Sequence, residues 1–285
     1  MKLNKDNFLF SAKDNLISKK NFDIYWDSNK FFAWTDIKKE KDLSKYYDSK
    51  KYDSFKQKPS KIIDYLYSLV QTLMLKYKWS IIRPYIKGKK NSLDIGSGVG
   101  VFGKYCLKKG LKQVVVESNL KAFKIGVDKG LKSFNSLKKI PLNYRYQVIT
   151  LWHSLEHIPN LNETLKKINT VLNNDGILVI AVPNLNSFDS KYYGNNWAAF
   201  DVPRHLWHFT EKGLELLLSE SNFLLIKSYP MFMDALYISY LSEKHKKSYF
   251  PLIKGIIVGF TSNIKAFFSK DFSSKIYIFK KKVNH

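Results

Sequence analysis

Between residues 91 and 182 the hydrophobic pattern keeps changing period. Short apolar runs alternate with stretches whose apolar positions recur at three and four. The runs predict strands at about 91–95, Gln113 to Val116, Lys132 to Phe134, Tyr146 to Leu151 and Ile177 to Val182. The stretches between them predict helices at 101–109, 119–129 and 161–172. Strand and helix in alternation imply a parallel sheet with helices on its faces.

The flanks carry weaker patterns. Phe22, Ile24 and Trp26 alternate, Asp27 to Lys30 form a turn, and Phe31 to Thr35 resumes an apolar run, which predicts a small hairpin. Tyr46 to Phe55 is expected to be loop with aromatic anchors. Pro59 and Ser60 open a helix whose apolar face runs from Ile62 and Ile63 through Leu66, Leu69, Val70, Leu73 and Met74 to Tyr77. Beyond the fifth strand, Thr210 caps a helix to about Ser221, and Phe223 to Tyr229 is a sixth strand. Residues 231–268 read as two helices broken at Glu243 to Lys247, and Ser274 to Phe279 as a last strand. The expected organisation is an N-terminal extension over 1–58 and one domain over 59–285. That domain has a leading helix at 59–80 and a helical insertion at 231–268.

Composition changes this picture little. The formal charge of +24 on 285 residues would suggest a polyanion partner. Yet only Arg83, Arg145 and Arg204 are arginines, and arginine is the better phosphate clamp. Lys, Asn, Ile, Phe and Tyr are abundant together, as a genome rich in A and T would produce. No specific nucleic-acid partner is expected. Cys106 is the only cysteine, which excludes an intramolecular disulfide and a cysteine zinc cluster and fits a reducing, cytoplasmic setting. The first residues lack the apolar run of a signal peptide, and no uninterrupted apolar stretch is expected to span a bilayer.

The candidate chemistry centres on Asp94-Ile95-Gly96-Ser97-Gly98-Val99-Gly100, where the first strand of the alternation turns into a helix. Glycines there let a ligand approach the backbone, and the helix start offers unpaired N–H groups. Gly98 to Gly103 also fits G-x-G-x-x-G, which keeps a dinucleotide open. Asp94 suits an ammonium better than a pyrophosphate. Glu117, at the end of the second strand, is placed to accept both ribose hydroxyls.

Asp94 to Gly100 resembles the first motif of class I S-adenosylmethionine-dependent methyltransferases. Leu155-Glu156-His157 after the fourth strand, Val182-Pro183-Asn184, and Asp201-Val202-Pro203-Arg204-His205-Leu206 add to that likeness. Together they resemble a bacterial stand-alone subgroup, the methyltransferase domain 23/type 12-like proteins. The resemblance covers roughly 45–280. It implies an α/β, Rossmann-like seven-stranded sheet with an antiparallel last strand, and S-adenosyl-L-methionine as cofactor. By that likeness Asp94, Gly96, Ser97, Gly98, Gly100, Glu117, Ser118, Asn135, Ser136 and Trp152 are expected at the cofactor. The family often has an Asp after its third strand; Asn135-Ser136 stands here instead.

The acceptor must lose a proton while acceptor, methyl and sulfur are held in line. His205 and His153 are the candidate bases, and His157 a cap or loop holder. Trp197, Asp201, Arg204 and Trp207 are expected at the acceptor, with Arg204 either holding an anion or pairing with Asp201. In some quinone O-methyltransferases the region of His153, Glu156 and His157 holds a divalent metal; none is expected here. Leu151-Trp152-His153-Ser154 replaces the Asn/Asp-Pro-Pro-Tyr of amino-group methyltransferases, and no cysteine nucleophile stands there for cytosine C5 chemistry. Transfer to oxygen, to an unactivated nitrogen or to an activated carbon stays open; the expected acceptor is a small or lipid- or carbohydrate-linked molecule, with oxygen the favoured atom. Peripheral membrane contact through 231–268 stays open, as does a binding subunit without turnover.

Overall fold

The computed structural model describes residues 5–29, 31–38, 40, 42–47, 62–86, 88 and 90–282, with the backbone alone at 62–67. Strands β1 (Phe8–Lys13), β2 (Asn21–Trp26) and β3 (Phe32–Thr35) come first, then helix α1 (Ile62–Ile82). The alternation follows: β4 (Asn91–Ile95), α2 (Val101–Lys108), β5 (Lys112–Val116), α3 (Leu120–Asp128), β6 (Lys132–Phe134), β7 (Tyr146–Trp152), α4 (Leu161–Val171) and β8 (Leu172–Pro183). Then come α5 (Phe188–Tyr193), β9 (Trp207–Phe209), α6 (Glu211–Glu220), β10 (Phe223–Pro230), α7 (Phe232–His245), α8 (Pro251–Ser269) and β11 (Ser274–Lys281). Each strand and helix expected from 91 onward is present within a few residues, except that β8 starts earlier, at Leu172. The expected opening of α1 at Pro59 and Ser60, the loop from Asp48 to Phe55 and the 58/59 boundary lie outside the described residues.

Seven strands make one sheet in the order β10-β11-β8-β7-β4-β5-β6, with the last strand antiparallel. β4 pairs parallel with both β5 and β7, and β5 with β6. All seven residues of β7 and the stretch Ile177 to Val182 of β8 are buried, as central strands covered on both faces must be. Burying each Val, Ile or Leu among them contributes about 1.5–3 kcal/mol.

The chain forms two compact units. One holds Lys50–Trp152, Asn162–Val179 and Ile278–His285, and contains the glycine loop. The other holds Met1–Ser49, His153–Leu161 and Ile180–Tyr277. In the second unit the expected hairpin is present, with β2 and β3 antiparallel. Asp27 closes its turn by accepting N–H bonds from Asn29, Phe31 and Phe32. It belongs to a four-stranded sheet, β1-β2-β3-β9. Asp14 anchors the β1–β2 turn in the same way, accepting from Leu16, Ile17 and Ser18.

Helix α8 bears on the membrane expectation. By length and composition it is apolar enough to cross a membrane, although Lys254 and Lys265 interrupt its apolar run. It carries no acidic residue over 19 positions.

Candidate functional site

In the first unit, β4 delivers Asp94 and the glycines to its carboxyl end, where ligands of open α/β sheets bind. The loop is pinned to β5: the N–H groups of Gly96 and Ser97 both donate to the Val116 carbonyl, at 2.8 and 3.1 Å. Gly98 and Gly100 have φ of 54° and 72°, in the left-handed region that favours glycine. They differ in surroundings. A Cβ on Gly100 would stand 2.4 Å from Leu131 Cδ1, so that glycine serves packing. A Cβ on Gly98 would meet nothing within 4 Å, so the space beside it is open.

Glu117 faces this loop. One of its oxygens accepts the Gly98 N–H and the other the Asn119 N–H, each at 2.8 Å. Burial raises its pKa, against the pull of those N–H groups. Asp94 is buried and accepts from the Thr150 hydroxyl at 2.6 Å. Burial lifts it to about 7, with the Thr150 bond and Lys78 opposing. An ammonium beside it would restore the anion. Trp152, ending β7, packs edge-on against Phe102 at 5.1 Å, with the Lys78 ammonium 4.6 Å from its ring. The Trp152 indole N–H and the Ser97 hydroxyl are buried and have no hydrogen-bond partner. Two orphaned polar atoms, an acidic pair and an open glycine backbone fit an amino-acid and ribose-bearing cofactor. Ser118 is exposed, and Asn135 is half-buried just after β6. Ser136 is engaged locally, its hydroxyl accepting the Lys138 N–H at 3.3 Å.

In the second unit, histidines and carboxylates gather around Glu156, which lies in the single turn Leu155–His157. Glu156 is 1 % exposed, and neither carboxylate oxygen accepts a hydrogen bond. Its Oε1 lies 3.6 Å from His153 Nδ1 and 4.0 Å from His205 Nε2. Burial alone would protonate it, but His153, His205 and His157 hold its pKa below the ordinary value. His153 Nε2 also pairs with Asp234 at 3.0 Å. Burial opposes the His153 cation, yet Asp234 and Glu156 together raise its pKa to about 9. His153 adopts φ of 49°, where a side chain costs about 1 kcal/mol relative to glycine.

The rest of the cluster is held from the 197–208 segment. His205 Nδ1 lies 2.7 Å from the Ala199 carbonyl, while Nε2 lies 3.9 Å from Asp201 Oδ2. His157 Nδ1 meets the Arg204 carbonyl at 2.9 Å and the Tyr47 hydroxyl at 3.1 Å. Burial and the neighbouring His205 push His157 down to about 4. The same two causes push His208 down to about 3; its Nε2 lies 2.9 Å from the Thr35 hydroxyl. At neutral pH His153 is therefore an imidazolium beside an anionic Glu156, with His157 and His208 neutral. Donor atoms of Glu156, His157 and His205 all lie within 4.8 Å of one another, a set able to hold a small cation.

The segment expected to line an acceptor pocket is largely core. Trp197 is 2 % exposed, and its indole N–H donates to the buried Asp189 at 2.7 Å. Trp207 is buried in β9, donating to the Ile158 carbonyl at 2.8 Å. Arg204 is fully buried and pairs with Asp201 through Nε at 2.8 Å and through a second, shorter contact. It also donates to the Tyr46 carbonyl. Despite burial, that guanidinium holds Asp201 at about 2. Of the two roles left open for Arg204, this geometry supplies the pair with Asp201. The sequence reading missed Asp234, Thr35 and Asp189, each remote in the chain from what it touches. An acidic residue inside an apolar helix start, as at Asp234, was the one signal on offer.

A family model for the methyltransferase domain matches residues 69–228, more than half of the chain. No curated protein matches the sequence. Among solved structures, a SAM-dependent methyltransferase from Archaeoglobus fulgidus is 21% identical, with a TM-score of 0.51 over 73% of this chain and 93% of that one. Magnesium protoporphyrin IX methyltransferase from Synechocystis PCC 6803, solved with S-adenosylhomocysteine bound, is 9% identical, with a TM-score of 0.53 over 80% and 91%. Coclaurine N-methyltransferase, bound to N-methylheliamine and S-adenosylhomocysteine, is 12% identical, with a TM-score of 0.52 over 79% and 76%. These likenesses are of fold; the family match is of sequence and takes in the glycine loop, Glu117, Glu156 and His205. The chain belongs to the methyltransferase-domain family and is a class I S-adenosylmethionine-dependent methyltransferase.

Proposed function

We propose that this enzyme methylates an oxygen of a small or lipid- or carbohydrate-linked acceptor, and that His205 takes the acceptor's proton. S-adenosylmethionine supplies the sulfonium methyl and the driving force. Gly96, Ser97, Gly98 and the Trp152 indole N–H would hold the cofactor's polar groups, Asp94 its ammonium and Glu117 its ribose hydroxyls.

The observation that carries the acid–base assignment is the fixing of the His205 ring. The Ala199 carbonyl is an acceptor only, so Nδ1 is the protonated nitrogen and a neutral ring keeps its lone pair on Nε2. Nε2 lies 4.0 Å from Glu156 and 3.9 Å from Asp201. His153, the other candidate, already carries its proton at neutral pH. It serves as a cation that keeps Glu156 ionised and orients an oxygen acceptor. Both an alcohol and a phenol need such a base, and the residues after β7 lack the Asn/Asp-Pro-Pro-Tyr stretch of amino-group enzymes.

The test is turnover of His205→Asn on an acceptor found by label transfer. A fall of about two orders of magnitude or more, with S-adenosylhomocysteine affinity unchanged, is expected. Turnover equal to the parent removes His205 from the mechanism.

A further inference from the structure

Helix α8 is built inside out for a helix that only packs in a core. Its small residues face the protein: Gly255, Val258, Gly259, Ser262 and Ala266 are the buried ones. The contact with α7 is close. A Cβ on Gly255 would stand 2.5 Å from Tyr240 Cα, and one on Gly259 would stand 2.6 Å from the Ala235 carbonyl oxygen. The large apolar residues face away. Ile253, Ile257, Phe260, Ile264 and Phe268 recur at three and four along one stripe, with Phe260 62 % and Phe268 87 % exposed. A continuous apolar face of this kind marks an interaction surface.

We propose that this outward face docks on an anionic phospholipid bilayer, with α8 lying in the plane of the interface. Charge is the argument for that occupant. Lys254, Lys265 and Lys270 are exposed on or next to the helix, as are Lys244 at the end of α7 and Lys246 and Lys247 on the turn that follows it. No carboxylate stands on α8. On neighbouring α7, Asp234 pairs with His153 and Glu243 is buried. Long lysine stems can lie along apolar surface while their ammonium groups reach lipid phosphates. Apposing the stripes of two copies would instead bring both lysine sets together.

Lying along the surface, rather than spanning, follows from how the inner face is tied down. The Ser262 hydroxyl donates to buried Asp189 at 2.7 Å, and the Asn263 amide to the Phe232 carbonyl at 3.0 Å. Insertion across a bilayer would break both bonds and part the glycine contact with α7. The inference does not depend on which acceptor the enzyme uses.

The experiment is co-sedimentation of the full chain with phosphatidylcholine vesicles, with and without phosphatidylglycerol. Binding is expected to the phosphatidylglycerol vesicles, weakening as salt rises. The double variant Phe260→Asp, Phe268→Asp should lose about tenfold or more in affinity. Both side chains are exposed, so its melting temperature and S-adenosylhomocysteine binding should match the parent. Lys254→Glu with Lys265→Glu should reduce binding to the anionic vesicles. Three results overturn the proposal. One is no binding to either vesicle. A second is a lipid-independent dimer that Phe268→Asp dissociates. A third is vesicle association that resists alkaline carbonate, as a spanning helix would give.

Discussion

Single residues set the charge state on which the proposed chemistry rests. Asp94 shows this on the cofactor side. Burial lifts its pKa to about 7, so near neutrality it is only partly ionised until a cation arrives. Cofactor affinity should therefore rise with pH through about 7, because the ammonium binds the ionised form. Calorimetry across that range measures it. Asp94→Asn should flatten the pH dependence and weaken binding by about ten- to a hundredfold, the worth of one charged hydrogen bond. An unchanged affinity would mean that Asp94 serves only Thr150. The two glycines divide the same way. Gly98 fronts open space, so a side chain there strains the backbone and meets the ligand, whereas one on Gly100 collides with Leu131.

At the scale of elements, the buried Asp189 at the start of α5 is the joint that orders the 197–208 segment. It accepts from the Trp197 indole at 2.7 Å, the Ser262 hydroxyl at 2.7 Å and the Ser273 hydroxyl at 2.6 Å. Asp189→Ala leaves three buried donors without an acceptor and should cost about 3 kcal/mol or more. A urea titration at constant slope checks this; a loss under 1 kcal/mol would show that water replaces the carboxylate. This joint also explains what the sequence reveals and what it hides. The strands and helices from 91 to 182 are legible because burial on both faces forces a period into the chain. The glycine loop is legible because its backbone demands particular residues. The 197–208 segment has no period. Its partners are Tyr46, Ile158 and Asp189, which no local pattern can reveal, so aromatic and charged side chains read as an open pocket wall. Strand β9 is three residues long and takes its form from its pairing with β3. The glycine loop and the Glu-His stretch of the candidate site were readable; the Asp234 partner of His153 was not.

Over the whole molecule, His153, His157 and His208 set the pH range of stability. His153 has its pKa raised from 6.5 to about 9, so its contribution is complete below 6.5 and is lost as pH climbs toward 9. His157 and His208 are depressed to about 4 and about 3, so the unfolded chain takes up protons first, and stability falls as pH drops below 6.5. Asp201, held at about 2, adds a further loss below its ordinary 3.8. The melting temperature should peak near neutrality, and His208→Gln should make the acid limb shallower. An acid limb of unchanged slope would remove His208 from that account. The central claim remains methyl transfer, and label transfer tests it most directly. The purified chain is incubated with methyl-labelled S-adenosylmethionine and fractionated cell extract, beside Gly98→Leu. The account predicts label in a small or lipid- or carbohydrate-linked product, with matching release of S-adenosylhomocysteine, and neither with Gly98→Leu. Tight cofactor binding with no label transferred to any fraction would contradict it.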